Sequence, residues 1–270
     1  MRLAWLTDIH LNFVDNSQRK RFLESVRDRA DAVAISGDIG ESPDVGRFLV
    51  EMDEIIGKPI YFVLGNHDFY RGSIAKTRLQ VADIAHRSNG LEYLTASGVV
   101  ELTPDTAIVG HDGWADGRCG DFWKSNVMLS DYMLVAELSK WYVDFTLDKE
   151  HLIEVLHTLA QEAARHFEKV LVDAVDRYRN VIAVTHVPPF REAAWYEGKV
   201  SDDNYLPHFS CKVVGEVLEK VMQAHSQTNL LVLCGHTHGG GRLQVLDNLQ
   251  VLTGAAKYKE PAIQQVFEIE

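Results

Sequence analysis

Five apolar runs, Leu3–Thr7, Ala32–Ser36, Ile60–Leu64, Val181–Thr185 and Leu230–Cys234, are each followed within two residues by a side chain able to bind a metal. Runs this rich in Val, Ile and Leu, with no polar alternation, read as strands buried on both faces, as in a largely parallel sheet. In such sheets ligands bind in the crevice outside the carboxyl ends of the strands. The segments Asp8-x-His10, Gly37-Asp38, Gly65-Asn66-His67-Asp68, His186 and Gly235-His236-Thr237-His238 therefore converge on one crevice. Scattered along helices, the same residues would not meet.

Each segment alone has an ordinary structural reading. Asp8 with His10, and Gly37 with Asp38, fit turns that end strands. Asn66 fits a turn residue in the left-handed region, His67 its polar neighbour. His186, before Val187-Pro188-Pro189, fits a structural histidine. His236 and His238 say more, because alternate side chains in extended backbone face the same way. Together and in this order, carboxylate, carboxamide and imidazole form the ligand set of a two-metal hydrolytic site.

The chain has 270 residues and 46% hydrophobic composition, which suits one α/β domain over residues 1–270. No repeat, low-complexity tract or Pro/Gly/Ser linker marks a boundary. A net charge of -12 opposes non-specific attraction to nucleic acid or anionic lipid. It does not exclude phosphate substrates, since bound cations dominate the field inside such a site. The Arg19-Lys20-Arg21 cluster is too short for a nucleic-acid footprint. Three cysteines, Cys119, Cys211 and Cys234, lie far apart and fit a reducing compartment. With no leader of signal-peptide pattern and no membrane-length apolar run, the expected location is cytoplasmic.

Strands alternate with helical patterns, the mark of βαβ units. A helix is expected to start at Ser42-Pro43-Asp44 and close at Gly57, and a second to span Ile74–Ser88, stopped by Gly90. Helical stretches are expected at about Ser130–Phe145 and Lys149–Tyr178. The latter carries Leu152, Val155, Leu156, Leu159, Ala163, Phe167, Val170, Leu171 and Ala174 at helical spacing. His151, His157 and His166 fall on its polar face. Residues from about 115 to 180 read as a helical insertion over the active face, shaping substrate choice without building the metal site.

With all five blocks in place, the chain resembles the calcineurin-like metallophosphoesterases, whose pattern is D-x-H, G-D, G-N-H-[DE], a lone His and G-H-x-H. The resemblance runs from Asp8 to His238, with no motif between Trp114 and Asn180. It implies a four-layer α/β/β/α sandwich with two mixed sheets. It implies two divalent metal ions, with Asp38 as the bridge, Asp8, His10 and His238 completing one shell, and Asn66, His186 and His236 the other. Two such ions roughly 3.5–4 Å apart clamp the attacking and leaving oxygens of an in-line displacement. Nitrogen and oxygen donors without thiolate suit Mn, Fe, Zn, Co or Ni. The resemblance further implies attack by metal-bound hydroxide, with His67 as general acid and Asp68 as its orienting carboxylate.

The expected reaction is hydrolysis of phosphate monoesters or diesters on a small molecule or phosphoprotein. A nuclease or nucleic-acid end-processing enzyme is the alternative, and a non-catalytic scaffold of the same fold is one of another class. Further candidates are weaker. His111, Asp112, Trp114 and Asp116 follow the strand-like run Thr106–Val109 and are candidates for the active face. Asn204–Lys212, with Pro207, His208, Phe209 and Lys212, is expected to line the cleft, with His208 or Lys212 as a phosphate contact or a plain surface loop. Trp141, Tyr142, Trp195 and Tyr196 are candidates for an aromatic wall or for core packing.

Overall fold

A computed structural model describes residues 1–270. The first half of the chain forms β1 (Arg2–Leu6), α1 (Asn16–Arg29), β2 (Ala32–Ser36), α2 (Val45–Ile56), β3 (Ile60–Val63), α3 (Ile74–Arg87), β4 (Leu91–Tyr93), β5 (Val100–Thr103) and β6 (Thr106–His111). The second half adds α4 (Lys149–Val175), β7 (Asn180–Thr185), α5 (Lys212–Ala224), β8 (Asn229–Cys234), β9 (Gly241–Leu246), β10 (Leu249–Thr253) and β11 (Gln265–Glu268). One sheet has the order β11-β1-β2-β3-β4, the other β9-β10-β8-β7-β6-β5. Both are mixed. β1 to β4 run parallel with β11 antiparallel to β1, and in the second sheet β6, β7, β8 and β10 run parallel.

Strand periodicity explains the layers. In β1, Leu3 and Trp5 point between the sheets while Ala4 and Leu6 point outward under α1 and α2. In β7, Ile182 and Val184 face the other sheet, and Ala183 faces the outer layer with residues of α4 and α5. Both faces of these strands are covered, which is why they read as unbroken apolar runs. The result is the expected four-layer α/β/β/α arrangement.

Asp112, just past β6, pins the two sheets together at their carboxyl ends. Its carboxylate accepts from the Leu64 amide (2.8 Å), Arg78 Nε (2.8 Å), the Tyr93 hydroxyl (2.7 Å) and the Thr95 hydroxyl (2.7 Å). Its carbonyl takes the His186 amide at 3.0 Å. One residue thus holds the ends of β3 and β7, from which two of the motif loops leave.

Several expectations need correction. Residues 130–145 form single helical turns, Asp131–Leu134 and Ala136–Ser139, and then a small hairpin pairing Tyr142–Val143 with Thr146–Leu147. Val135 breaks the helix because it is extended and bridges to Gly72, a tertiary pairing that overrides local propensity. Asp144 and Phe145, at φ 49° and 61°, make the hairpin turn. α2 begins at Val45, with Asp44 at its N-cap, and Gly57 closes it at φ 58° as expected. α3 ends at Arg87, where the Ser88 hydroxyl accepts the Gly90 and Leu91 amides, so Ser88 and not Gly90 shapes the stop. α4 connects the neighbouring parallel strands β6 and β7; from Ala160 onward it packs with α5 on the outer face of their sheet, and only its start, with Leu152 and Leu156, shares a core with Tyr132, Val135 and Leu138 of the preceding segment. The insertion over 115–180 therefore shrinks to the stretch before Lys149. His166 packs against His111 (ring centroids 5.1 Å apart), half-buried and not on a polar face.

Candidate metal centre

The loops leaving β1, β2, β3, β7 and β8 are bound to one another through their main chains. Asp8 N–H donates to the Gly37 carbonyl (3.0 Å) and His10 N–H to the Asp38 carbonyl (3.0 Å), so the first two loops run as a pair. Gly235 N–H donates to the His186 carbonyl (2.9 Å), and His236 N–H to Asp8 Oδ1 (3.0 Å), which joins the loops of the second sheet to those of the first. Asp8, His10, Asp38, His236 and His238 have φ of 48°, 40°, 56°, 72° and 58°. A non-glycine residue there costs on the order of 1–3 kcal/mol and survives only where its surroundings impose it, mostly at functional sites. Gly37 has no alternative: φ is 93°, and a Cβ would lie 2.6 Å from His186 Nδ1.

Asp8, His10, Asp38 and His238 each turn one ligand atom inward, all within 4.8 Å of one another. His10 Nε2 lies 3.2 Å from His238 Nε2 and 3.8 Å from Asp38 Oδ2, and His238 Nε2 lies 3.4 Å from Asp8 Oδ1. Burial pushes the His10 ring down to about 3, so it is neutral. Burial, together with the charges of Asp8 and Asp68, pushes the Asp38 carboxyl well above the usual range. A positive charge between these groups would relieve that penalty.

The second cluster makes the case for a cation directly. Asn66 Oδ1 lies 2.9 Å from His186 Nε2 and 2.9 Å from His236 Nδ1. The other nitrogens are committed, since His186 Nδ1 donates to the Ser36 carbonyl (2.8 Å) and His236 Nε2 to the His208 carbonyl (3.0 Å). The Asn66 amide nitrogen donates to Asp131 Oδ1 (2.8 Å) and the Tyr70 hydroxyl (3.1 Å). A carbonyl can only accept, so both tautomers are set. Burial lowers both rings, His236 to about 4, so no extra proton fills the gap. Three lone pairs meet with nothing between them, an arrangement a cation would satisfy. Asp38 faces both clusters, with Oδ2 toward His10 and Oδ1 3.4 Å from His186 Nε2. The donors, all nitrogen or oxygen, fit two divalent ions sharing this carboxylate.

His67 sits at the rim. Its ring stacks on Tyr70 (4.2 Å, 29°), its N–H donates to Asp38 Oδ1 (2.9 Å), and its Nε2 is 4.0 Å from Asp38 Oδ2. Asp68 does not orient it. Both Asp68 oxygens are taken by main-chain amides, Ile39 and Gly40 on one and Gly65 on the other, and the side chain is fully buried. Asp68 is a staple between two motif loops, and stacking on Tyr70 places the His67 ring.

Asp131 was not legible as a site residue, because it lies in a segment without motifs. It accepts from both Asn66 and Tyr70 (2.6 Å) and so orients the Asn66 carbonyl oxygen. The segment expected to leave the metal site alone thus supplies one of its supports. Partners of this kind typically contribute 10- to 100-fold to metal affinity. Asp131→Ala is expected to weaken metal binding at the Asn66 cluster by roughly that factor in a competition titration, and unchanged affinity would mean the Asn66 amide is held by other groups.

His208 contacts no open surface. It is buried, bonded to Ser125 Oγ (2.8 Å) and Tyr132, and its carbonyl fixes His236, so it is a support and not a phosphate contact in this structure. Lys212 opens α5 and faces Glu216 at 3.7 Å. His111, Asp112, Trp114 and Asp116 are all buried; Asp116 accepts the Val213 and Arg118 amides at the start of α5 and in the adjoining loop. Trp141 stacks on His151 (4.7 Å) away from the motif residues, Tyr142 belongs to the small hairpin, and Trp195 packs against Gly239 and Gly241. Tyr196 joins Tyr205 and Phe209, and Phe209 lies 5.4 Å from the His236 ring.

Comparison with known proteins agrees with this geometry. A family model described as calcineurin-like phosphoesterase matches residues 1–240. The structure is similar to phosphopantetheinyl hydrolase from Mycobacterium tuberculosis, at 14% identity and TM-score 0.66 over 95% of this chain and 89% of that one. It is also similar to a dimetal phosphatase from Danio rerio, at 14% identity and TM-score 0.60 over 97% and 89%. A protein from Thermus thermophilus matches at 15% identity and TM-score 0.55 over 94% and 88%. No curated protein sequence matches the chain.

Proposed function

The chain belongs to the calcineurin-like phosphoesterase family as a metal-dependent phosphoesterase, and from that premise we propose that it hydrolyses small phosphate monoesters or diesters at a dinuclear centre bridged by Asp38. The observation that carries the reading is the two-sided Asp38 carboxylate between two clusters of lone pairs. Asp8, His10 and His238 would hold one ion, and Asn66, His186 and His236 the other. When bound, such a pair neutralises phosphate charge and supplies a nucleophilic oxygen at neutral pH. Asn66 contributes a neutral oxygen, which keeps the centre positive enough to attract an anion. Mn, Fe, Zn, Co and Ni all suit the donors.

His67 is proposed as the general acid. In the free site burial lowers its ring to about 2, so it is neutral. A phosphate anion beside it favours the imidazolium, which can then pass a proton to the leaving oxygen. The three cysteines are free and buried, which supports a reducing, cytoplasmic setting. No helix is long and apolar enough to cross a membrane.

The test is an activity panel on protein loaded with Mn, spanning aryl monoesters, bis-aryl diesters, cyclic nucleotides, phosphopeptides, and single- and double-stranded DNA. Turnover is expected on the small esters. Preference for DNA would replace this reading with a nuclease, and no turnover with two metals bound would leave a non-catalytic scaffold.

A further inference from the structure

The inference concerns the rim beside His67 and His238, the side of the centre where the clustered rings reach solvent: their side chains are 16% and 23% exposed, whereas those of His10, Asp38 and His186 are sealed. The ring of Tyr258 stands on this rim, with its centroid 4.7 Å from that of His10, 5.1 Å from His238 and 6.2 Å from His67. Tyr258 packs edge-to-face with Phe13 (5.0 Å, 68°). Both rings are large and apolar, yet they are 46% and 41% exposed.

The loop that carries Tyr258 is held in place. Ala256 N–H donates to the His238 carbonyl (3.2 Å), Gln18 Nε2 donates to the Lys259 carbonyl (2.7 Å), and the Gln264 side chain pairs with both main-chain groups of Ala255. The ring is therefore pre-positioned, so stacking a ligand on it costs little ordering. It lies beyond residue 240, outside the part of the chain that matches the family.

We propose that Tyr258 and Phe13 form a subsite for a planar aromatic or heteroaromatic group on the alcohol side of the ester, so that the preferred substrates are phosphate esters whose alcohol carries a flat ring. A phosphate held at the centre with its ester oxygen toward His67 directs the alcohol out past Tyr258. Flat faces stack on such a ring in offset or edge-on geometry, a gain that a puckered saturated group of similar size does not share. The residues flanking Tyr258 are Lys257, which faces Glu260 at 3.8 Å, and Lys259, whose carbonyl is held by Gln18.

The proposal rests on the phosphoesterase reading, and the test separates the two. Two matched pairs of primary-alcohol esters are compared on the metal-loaded enzyme: adenosine 5′-monophosphate with ribose 5-phosphate, and benzyl phosphate with cyclohexylmethyl phosphate. The flat member of at least one pair is expected to have kcat/KM higher by about 5- to 50-fold, mostly through KM. Tyr258→Leu, which keeps bulk but not flatness, should bring that ratio to within about twofold of one. Preference in the first pair alone identifies a nucleobase, and in the second a simple aryl group. Saturation-transfer NMR with adenosine and benzyl alcohol, neither of which carries phosphate, adds a readout independent of turnover. Binding of one of them, lost in Tyr258→Leu, is expected even if hydrolysis fails. Equal kcat/KM within both pairs, or binding unchanged by Tyr258→Leu, would overturn the subsite. Absence of turnover on every ester, with ring binding intact, would instead overturn the phosphoesterase reading.

Discussion

Asp38→Asn is expected to bind at most one divalent metal per chain and to lose about 10³-fold or more in kcat/KM, because several kcal/mol of charge stabilisation by the metal pair is at stake. The substitution keeps the shape of the side chain. It also keeps an oxygen for the His67 amide, which donates to Asp38 Oδ1 at 2.9 Å, so a folding defect is not the expected cause. The metal-free variant should in fact melt higher than metal-free wild type at neutral pH. Burial and the charges of Asp8 and Asp68 raise the Asp38 carboxyl well above its unfolded value. A carboxyl raised on folding opposes the folded state once pH exceeds the unfolded value near 4, and the neutral amide removes that penalty. Metal content after dialysis and reloading, kcat/KM and the melting curve of the metal-free protein measure the three effects. Wild-type protein that saturates at one metal would end the dinuclear reading, as would a variant that keeps two metals and full activity.

His67→Ala is expected to cost roughly 10²–10⁴ in kcat/KM on alkyl phosphate esters, whose leaving oxygen is basic and needs a proton. An activated aryl ester, leaving as a stable anion, should lose far less. The structure supports this division of labour: the His67 ring is stacked on Tyr70 with its Nε2 4.0 Å from the bridging carboxylate, while the six histidine and carboxylate side chains assigned as ligands each turn a donor atom into one of the two clusters. Metal content must be measured alongside. An equal fall on both esters with two metals bound would make His67 a phosphate-binding group, and a lost metal would make it a ligand.

The seven proposed ligands could be read from the chain because each stands in a short segment just past the end of a buried strand. An unbroken apolar run announces the strand and the strand's end announces a crevice, while the packing of the two sheets brings Asp8, Asp38 and Asn66 of one to His186 and His236 of the other. Left-handed backbone at Asp8, His10, Asp38, His236 and His238 was not legible, because short polar side chains and histidines enter that region only where neighbouring loops impose it. The split of Ser130–Phe145 was hidden for a similar reason, since Val135 pairs with Gly72 across the fold.

The sequence by itself determined which residues stand at the strand ends, and with them the α/β class and the ligand set, since both depend on patterns only a few residues long. Tertiary structure alone decided who supports whom. It turned Asp68 from a partner of His67 into a staple for Ile39, Gly40 and Gly65, gave Asn66 its orientation through Asp131, and set Tyr258 beside His10. Those contacts join residues far apart in the chain, and a hydrogen bond or ring contact exists only once backbone and rotamer on both sides are placed within a few tenths of an ångström. Local patterning carries no trace of that placement, whereas the burial of these strands on both faces is written in an unbroken run of apolar residues.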